Sequence, residues 1–220
     1  MIASELISAV ISPLKISDTV QKALDYMEDF KVSHLPIVDG SHFLGLLSED
    51  DLIEETNTEE SVALITLSLI NPYVLENQHA YDVIKAFSEQ RLSVLPVLDE
   101  KMNYLGTIVI DDVVTYLATL TAVADPGGII VLEIGNRDYS LAHIAQIVES
   151  DNAQILSAYL DEHTDSTKLT ATIKVNKIDV TQIVAAFLRY DYVVLATFNN
   201  TNQKADGADR YDSLMNYLSF

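Results

Sequence analysis

The sequence predicts an α+β protein: two copies of a helix–strand–strand–helix unit, then a segment of order β-α-β-β-α-β. Three observations carry this. The stretch Val32–Leu52 recurs about sixty residues later as Leu92–Val113, and such a repeat means duplicated units that bury their faces against each other. Pro126-Gly127-Gly128 then breaks the chain, and the hydrophobic rhythm changes beyond it. The composition, 49% hydrophobic over 220 residues, is ample for buried cores.

The repeat is close. Ser33/Ser93, Leu35/Leu95, Pro36/Pro96 and Asp39/Asp99 are identical pairs. After one inserted residue in the second copy, Gly45/Gly106 and Asp51/Asp112 align. Upstream, Ala23, Leu24 and Met27 correspond to Val83, Ile84 and Phe87.

Within the first copy, a short extended segment at 11–16 leads into a helix with Val20, Ala23, Leu24, Met27 and Phe30 on one face. Asp18 is placed to cap that helix, with Gln21 three residues on. "HLPIVD" reads as a buried strand ending in an Asp39-Gly40 turn, and "HFLGLLS" as a second strand. Pro36 and Pro96 fall at strand starts, where a missing N–H costs little. "EDDLIEE" then opens a second helix with the acidic first turn that the helix dipole favours. The second copy repeats this layout from Ile70 to Leu120.

The apolar helix, the "hhPhhD" strand, the "hhGhhSxxD" segment and the closing helix, found twice in register, resemble the CBS domain, and the two copies resemble a CBS pair (a Bateman module). The resemblance covers roughly residues 1–125, with the first domain at 1–62 and the second at 63–125. It implies two sheets packed face to face, paired clefts about a pseudo-two-fold axis, adenosine-containing ligands in those clefts, a regulatory role and common dimerisation.

Gly45-Leu46-Leu47-Ser48-Glu49-Asp50-Asp51 fits the family's G-x-x-[S/T]-x-x-D segment. In the family the Asp binds the ribose hydroxyls and the Ser or Thr contacts phosphate. The chemistry suits: a carboxylate accepts two hydroxyl donors, and a hydroxyl beside free backbone N–H groups suits a phosphate. Ser48-x-x-Asp51 equally fits a capping box, and the two roles can coexist. The second copy keeps Asp112, but Val109 replaces the hydroxyl residue, leaving no phosphate donor there. Asp111 is a candidate replacement cap, and Asp111-Asp112 also reads as a solvated acidic turn.

His34, two residues before Pro36, stands where CBS domains often place a ligand-facing side chain; a strand histidine without a role is the other reading. Val94 is its counterpart. Lys31 and Arg91 precede the strands and face either solvent or a cleft. With so few cations, the expected ligand carries little charge: AMP, an adenosine derivative or S-adenosylmethionine before ATP. An acidic cleft could also hold a divalent cation through Glu49, Asp50 and Asp51, but adjacent side chains on a helix point in different directions, so no metal site is expected.

Beyond Gly128, "IIVLEIG", "QILSAYLDEH", "KLTATIKVNK" and "VVLATF" read as strands. "YSLAHIAQIVESDNA", with Leu141, Ile144, Ala145 and Val148 on one face, and "DVTQIVAAFLRYDY" read as helices. This is the ferredoxin-like split βαβ order. After a CBS pair, residues 127–199 resemble an ACT domain, and the whole layout is similar to CBS–ACT proteins of the acetoin-utilisation type. The resemblance implies side-by-side association and amino-acid binding at the loop after the first strand, here with Asp138, Tyr139 and Ser140 as candidates. Ser140 stands where the family usually has Gly, and Asp138 or Ser140 as helix cap is the competing reading. Residues 200–220 read as a polar linker and a short helix bearing Tyr211, Leu214, Met215 and Leu218.

The net charge of −20 repels nucleic acid and anionic lipid, so neither is an expected partner. Up to Asp125 there are 6 basic and 21 acidic residues, so the acid is concentrated in the repeat. The absence of cysteine removes disulfides and thiolate metal sites and suggests a reducing cytoplasm. His34, His42, His79, His143 and His163 have no metal-ligand spacing, and neither a signal peptide nor a membrane span is expected. No nucleophile–base pair, P-loop or dinucleotide fingerprint is present, so no catalytic residue and no enzyme activity are expected. The expectation is a non-enzymatic, ligand-sensing homodimer, its ACT-like domain serving dimerisation or signal relay. The alternative is a structural or interaction homodimer with vestigial clefts.

Overall fold

The computed structural model describes residues 1–8, 10–53, 57–69, 72–135, 139–162 and 167–199. Asp138, Ile70 and the expected C-terminal helix lie outside them. The chain divides into two compact units, Met1–Tyr116 and Leu117–Phe220.

In the first unit, strands β1 (Leu14–Lys15), β2 (His34–Asp39) and β3 (His42–Ser48) form one sheet, with helix α1 (Val20–Phe30) between β1 and β2. The second repeat gives β4 (Val74–Leu75), α2 (Ala80–Gln90), β5 (Val94–Leu98), β6 (Tyr104–Val109) and α3 (Ile110–Leu120). In each sheet the first strand runs parallel and the third antiparallel to the middle one. β2 and β5 are buried almost throughout, as strands between a helix and a second sheet must be. Pro36 and Pro96 fall inside β2 and β5, not at their first residues. Each directly precedes the stretch that pairs with β1 or β4, so those ladders stay whole.

One local reading is corrected. Thr19, not Asp18, caps α1: its Oγ1 accepts from Lys22 N at 3.3 Å. Asp18 instead accepts from Lys15 N at 2.8 Å and pairs with Lys22 Nζ at 2.9 Å, so its carboxylate closes the turn before the helix. Among the described residues, the segment after Ser48 opens with a 3-10 turn, Asp50–Leu52, and residues 54–56 of the expected second helix lie outside them.

The leading segment of each repeat crosses to the other. Ser8 N donates to Thr107 O, and Ala3 N and Ser4 N donate to Gln78 O and Glu76 O, so residues 2–8 lie on the second repeat. Residues 58–68 lie on the first: Val20 N donates to Glu60 O, and Val62 N to Asp18 O. The aligned glycines mark these crossings. A Cβ on Gly45 would stand 2.3 Å from Leu67 Cδ1, and one on Gly106 would stand 2.4 Å from Ile7 Cγ2.

The second unit contains β7 (Gly128–Gly135), α4 (Leu141–Glu149), β8 (Ile155–Glu162), β9 (Lys168–Val175), α5 (Thr181–Arg189) and β10 (Val193–Asn199). The four strands form an antiparallel sheet in the order β10-β7-β9-β8. Alternate residues of β7 and β9, including Ile130, Leu132, Ala171 and Ile173, join Ile144, Ile147, Val148, Ile183 and Phe187 of the helices in one core. Leu141, expected in that core, is exposed, and Ile147 takes its place. Gly127 is more than a breaker: a Cβ there would lie 1.9 Å from Val175 O, so the backbones can approach only at glycine. Among the described residues no helix is long and apolar enough to cross a membrane.

Candidate functional site

Where the two sheets meet, the start of β2 touches the start of β5. Ser93 N donates to His34 Nδ1 at 3.2 Å, and the Oγ atoms of Ser93 and Ser33 lie 3.0 and 3.1 Å from the same nitrogen. Ser33 N donates to Ser93 Oγ at 3.0 Å. An amide N–H can only donate, so Nδ1 is an acceptor and the neutral ring carries its proton on Nε2. His34 is buried, and burial pushes its pKa below the ordinary value, against the pull of Asp50, Asp51 and Glu49.

Ser48 and Asp51 form a reciprocal capping box at the end of β3. Asp51 N donates to Ser48 Oγ at 3.2 Å, and Ser48 N donates to Asp51 Oδ2 at 2.9 Å. The other carboxylate oxygen, Oδ1, accepts from Ser68 N at 3.1 Å, so the crossing segment is tied to the same side chain. Burial acts to raise the Asp51 pKa, but the hydrogen bonds from Ser48 and Ser68 outweigh it and hold the carboxyl below the usual range.

His34 and Ser48 line one cavity of about 350 Å³, together with Glu49 and Asp50, Ser68 of the crossing segment, and Arg91 of the second repeat. That volume is in the range of small-molecule sites. Arg91 ends α2 in the left-handed region at φ 53°, and Lys31 ends α1 likewise at φ 56°. A non-glycine residue held there costs on the order of 1 kcal/mol. Arg91 brings a cation to the cavity that holds Ser48.

The four expected CBS-site residues are thus partly brought together. His34 and Ser48 share the cavity, and Asp51, bonded to Ser48, is next to the lining residue Asp50. Asp112 stands in the first turn of α3 in the other repeat. There Val94 and Val109 occupy the places of His34 and Ser48, and neither side chain can hydrogen-bond. Ser68 carried no sequence signal, because it enters the site from the segment that crosses over; Ser93 carried one only as the repeat partner of Ser33.

In the second unit Ser140 is the α4 cap, its Oγ accepting from His143 N at 3.3 Å, and Tyr139 packs against the core. A cavity of about 370 Å³ opens beside Gly135 and includes His143, whose Nδ1 lies 2.9 Å from Tyr192 Oη.

The CBS domain family model matches residues 4–57 and 68–119, so this part of the chain is a tandem pair of CBS domains. CBS domain pairs are regulatory, ligand-sensing modules. Similar solved structures include a CBS domain pair/ACT domain protein from Thermotoga maritima, at 24% identity and TM-score 0.49, covering 53% of this chain and 96% of that one. CBSX2 in complex with AMP is 23% identical at TM-score 0.44, covering 53% and 95%. The cytosolic domain of the Mg2+ channel MgtE in complex with ATP is 23% identical at TM-score 0.43, covering 52% and 48%.

Proposed function

We infer that the CBS pair senses an adenosine-type ligand, AMP, an adenosine derivative or S-adenosylmethionine, in the cleft that His34 and Ser48 line. The observation that carries this reading is the meeting of Ser48, His34 and Arg91 at one cavity built from both repeats. A hydroxyl at a helical turn and one guanidinium suit a monophosphate. Glu49 and Asp50 on the same wall oppose a triphosphate. Asp51, ionised and already holding two N–H groups, keeps acceptor capacity for a ribose hydroxyl. Asp112 is the weaker counterpart, because Val109 supplies no phosphate donor.

The domains of this reading are CBS domains at 1–62 and 63–125, a ferredoxin-like, ACT-like domain at 127–199, and a C-terminal linker and helix at 200–220. The β-α-β-β-α-β order and the β10-β7-β9-β8 sheet support the third, in a layout of the acetoin-utilisation type. Tyr139, Ser140 and Asp138 remain its proposed amino-acid loop. The protein acts in the cytoplasm without catalysis, as a homodimer in which the ACT-like domain dimerises or relays the signal. Exposed Ile110 and Val114 on one face of α3 support an association surface.

Calorimetry on the whole chain with adenosine, AMP, S-adenosylmethionine and ATP tests the reading. AMP is expected to bind more tightly than ATP, and Arg91→Ala to weaken AMP far more than adenosine. Absence of binding by all four at millimolar concentration overturns it. In that case the second reading stands, a structural homodimer with vestigial clefts. Its supporting observation is that Ser48 and Asp51 already satisfy one another.

A further inference from the structure

In the second unit, α4 and α5 cover one face of the sheet, and the other face carries Ile129 of β7, Tyr159 of β8, Thr172 and Lys174 of β9 and Phe198 of β10. These residues, with Ser157 and the chain at Thr121 and Val123, line a cavity of about 450 Å³. Lys174 is only 7% exposed. Its ammonium donates to Ala122 O and, at 3.2 Å, to Val123 O, the carbonyls just past the C-terminal end of α3. Both acceptors are neutral, and among the described residues no carboxylate pairs with it. An ammonium has three donors, so one N–H has no acceptor among the described residues. A buried charge without a counter-charge is costly, and the partial negative charge at a helix end offsets only part of that cost.

We propose that this cavity binds a small monocarboxylate with an apolar tail, its carboxylate seated on Lys174 and Thr172 and its tail against Ile129, Val123 and Phe198. The donors available to the anion are the third Lys174 N–H and the hydroxyls of Thr172 and Tyr159, neither of which is engaged among the described residues. No acidic side chain lines the cavity, so the ammonium group of an amino acid would find no counter-charge there and would stand beside the Lys174 ammonium. The site is therefore selective for a simple carboxylic acid over the matching amino acid. It shares no lining residue with the β7–α4 loop or the CBS cleft.

The test uses the full chain and phenylacetate as probe, read by amide chemical shifts and calorimetry, with 2-phenylethanol and phenylalanine as neutral and zwitterionic controls. Phenylacetate is expected to bind at millimolar concentration or tighter, with shifts clustered at Thr172, Lys174, Tyr159 and Phe198. Both controls should bind at least about tenfold more weakly, equivalent to about 1.4 kcal/mol. Thr172→Val and Phe198→Ala, each with an unchanged Tm, should weaken phenylacetate about tenfold. Equal binding by 2-phenylethanol or phenylalanine, shifts that map elsewhere, or no shifts at about 50 mM would each overturn the proposal.

Discussion

His34 Nδ1 accepts the backbone N–H of Ser93 at 3.2 Å, joining two residues that stand at adjacent places of the two repeats. In the second repeat Val94 stands where His34 does, so this bond has no mirror image. The correspondence between the two repeats is therefore broken where β2 meets β5, beside the candidate cleft.

Acid should expose this arrangement. The folded His34 has a pKa below its unfolded value of 6.5, so between the two the unfolded chain binds the extra proton. Stability is unaffected above that window and falls as the pH drops through it. Asp51 adds a loss at lower pH: its depressed carboxyl stabilises the fold above the unfolded value of 3.8 and is lost as the pH falls through the folded one. Chemical denaturation from pH 8 to 5 should show the first loss in the native protein and not in His34→Val. That variant should itself be about 1–3 kcal/mol less stable at pH 8, because Ser93 N–H loses its acceptor.

The capping box separates stability from binding. Ser48→Ala is expected to cost about 1 kcal/mol in the ligand-free protein, measured by urea unfolding. Asp51→Ala should cost more, since it also releases the Ser68 N–H. If Ser48→Ala leaves stability unchanged, the box is not holding the end of β3.

One adenosine-type ligand per chain is the expected stoichiometry, because Val109 and Val94 strip the second cleft of donors. Calorimetry that finds two equal sites would contradict this.

The glycines rank by what opposes them. Gly127→Ala meets a backbone carbonyl at 1.9 Å and should cost about 2–3 kcal/mol or more. Gly45→Ala meets the tip of the Leu67 side chain, which can turn aside, so its cost should stay within about 1 kcal/mol. Thermal unfolding of the two variants in parallel decides the order.

Much of this was legible before any coordinates. The doubled pattern contains its own register, so both β2–β3 and β5–β6 hairpins and helices α1 and α2 follow from periodicity. Ser48 with Asp51 was readable as a capping box because that device is local, three residues apart. Sequence failed where neighbouring residues compete for one role and where partners are distant. Thr19 and Asp18 are both good caps, and the choice fell to Asp18's bonds with Lys15 and Lys22. Leu141 lost its place in the core to Ile147 because the packing of α4 on the sheet, not the helical period alone, decides which residues are covered. The exchange of leading segments left no local sign, since Ser8 and Ser68 look like ordinary linker residues. Their effect was visible only indirectly, in the paired glycines at 45 and 106.

That exchange makes each repeat incomplete on its own. A single repeat of this kind would hold half of each packing surface, with its leader looking for a strand that it does not itself provide. It would find one only in a second copy of itself, each leader laid across the other's sheet. The present molecule is such an embrace joined end to end. Joined in one chain, the two halves need not be alike, and they differ at the cleft: His34 and Ser48 in one, Val94 and Val109 in the other.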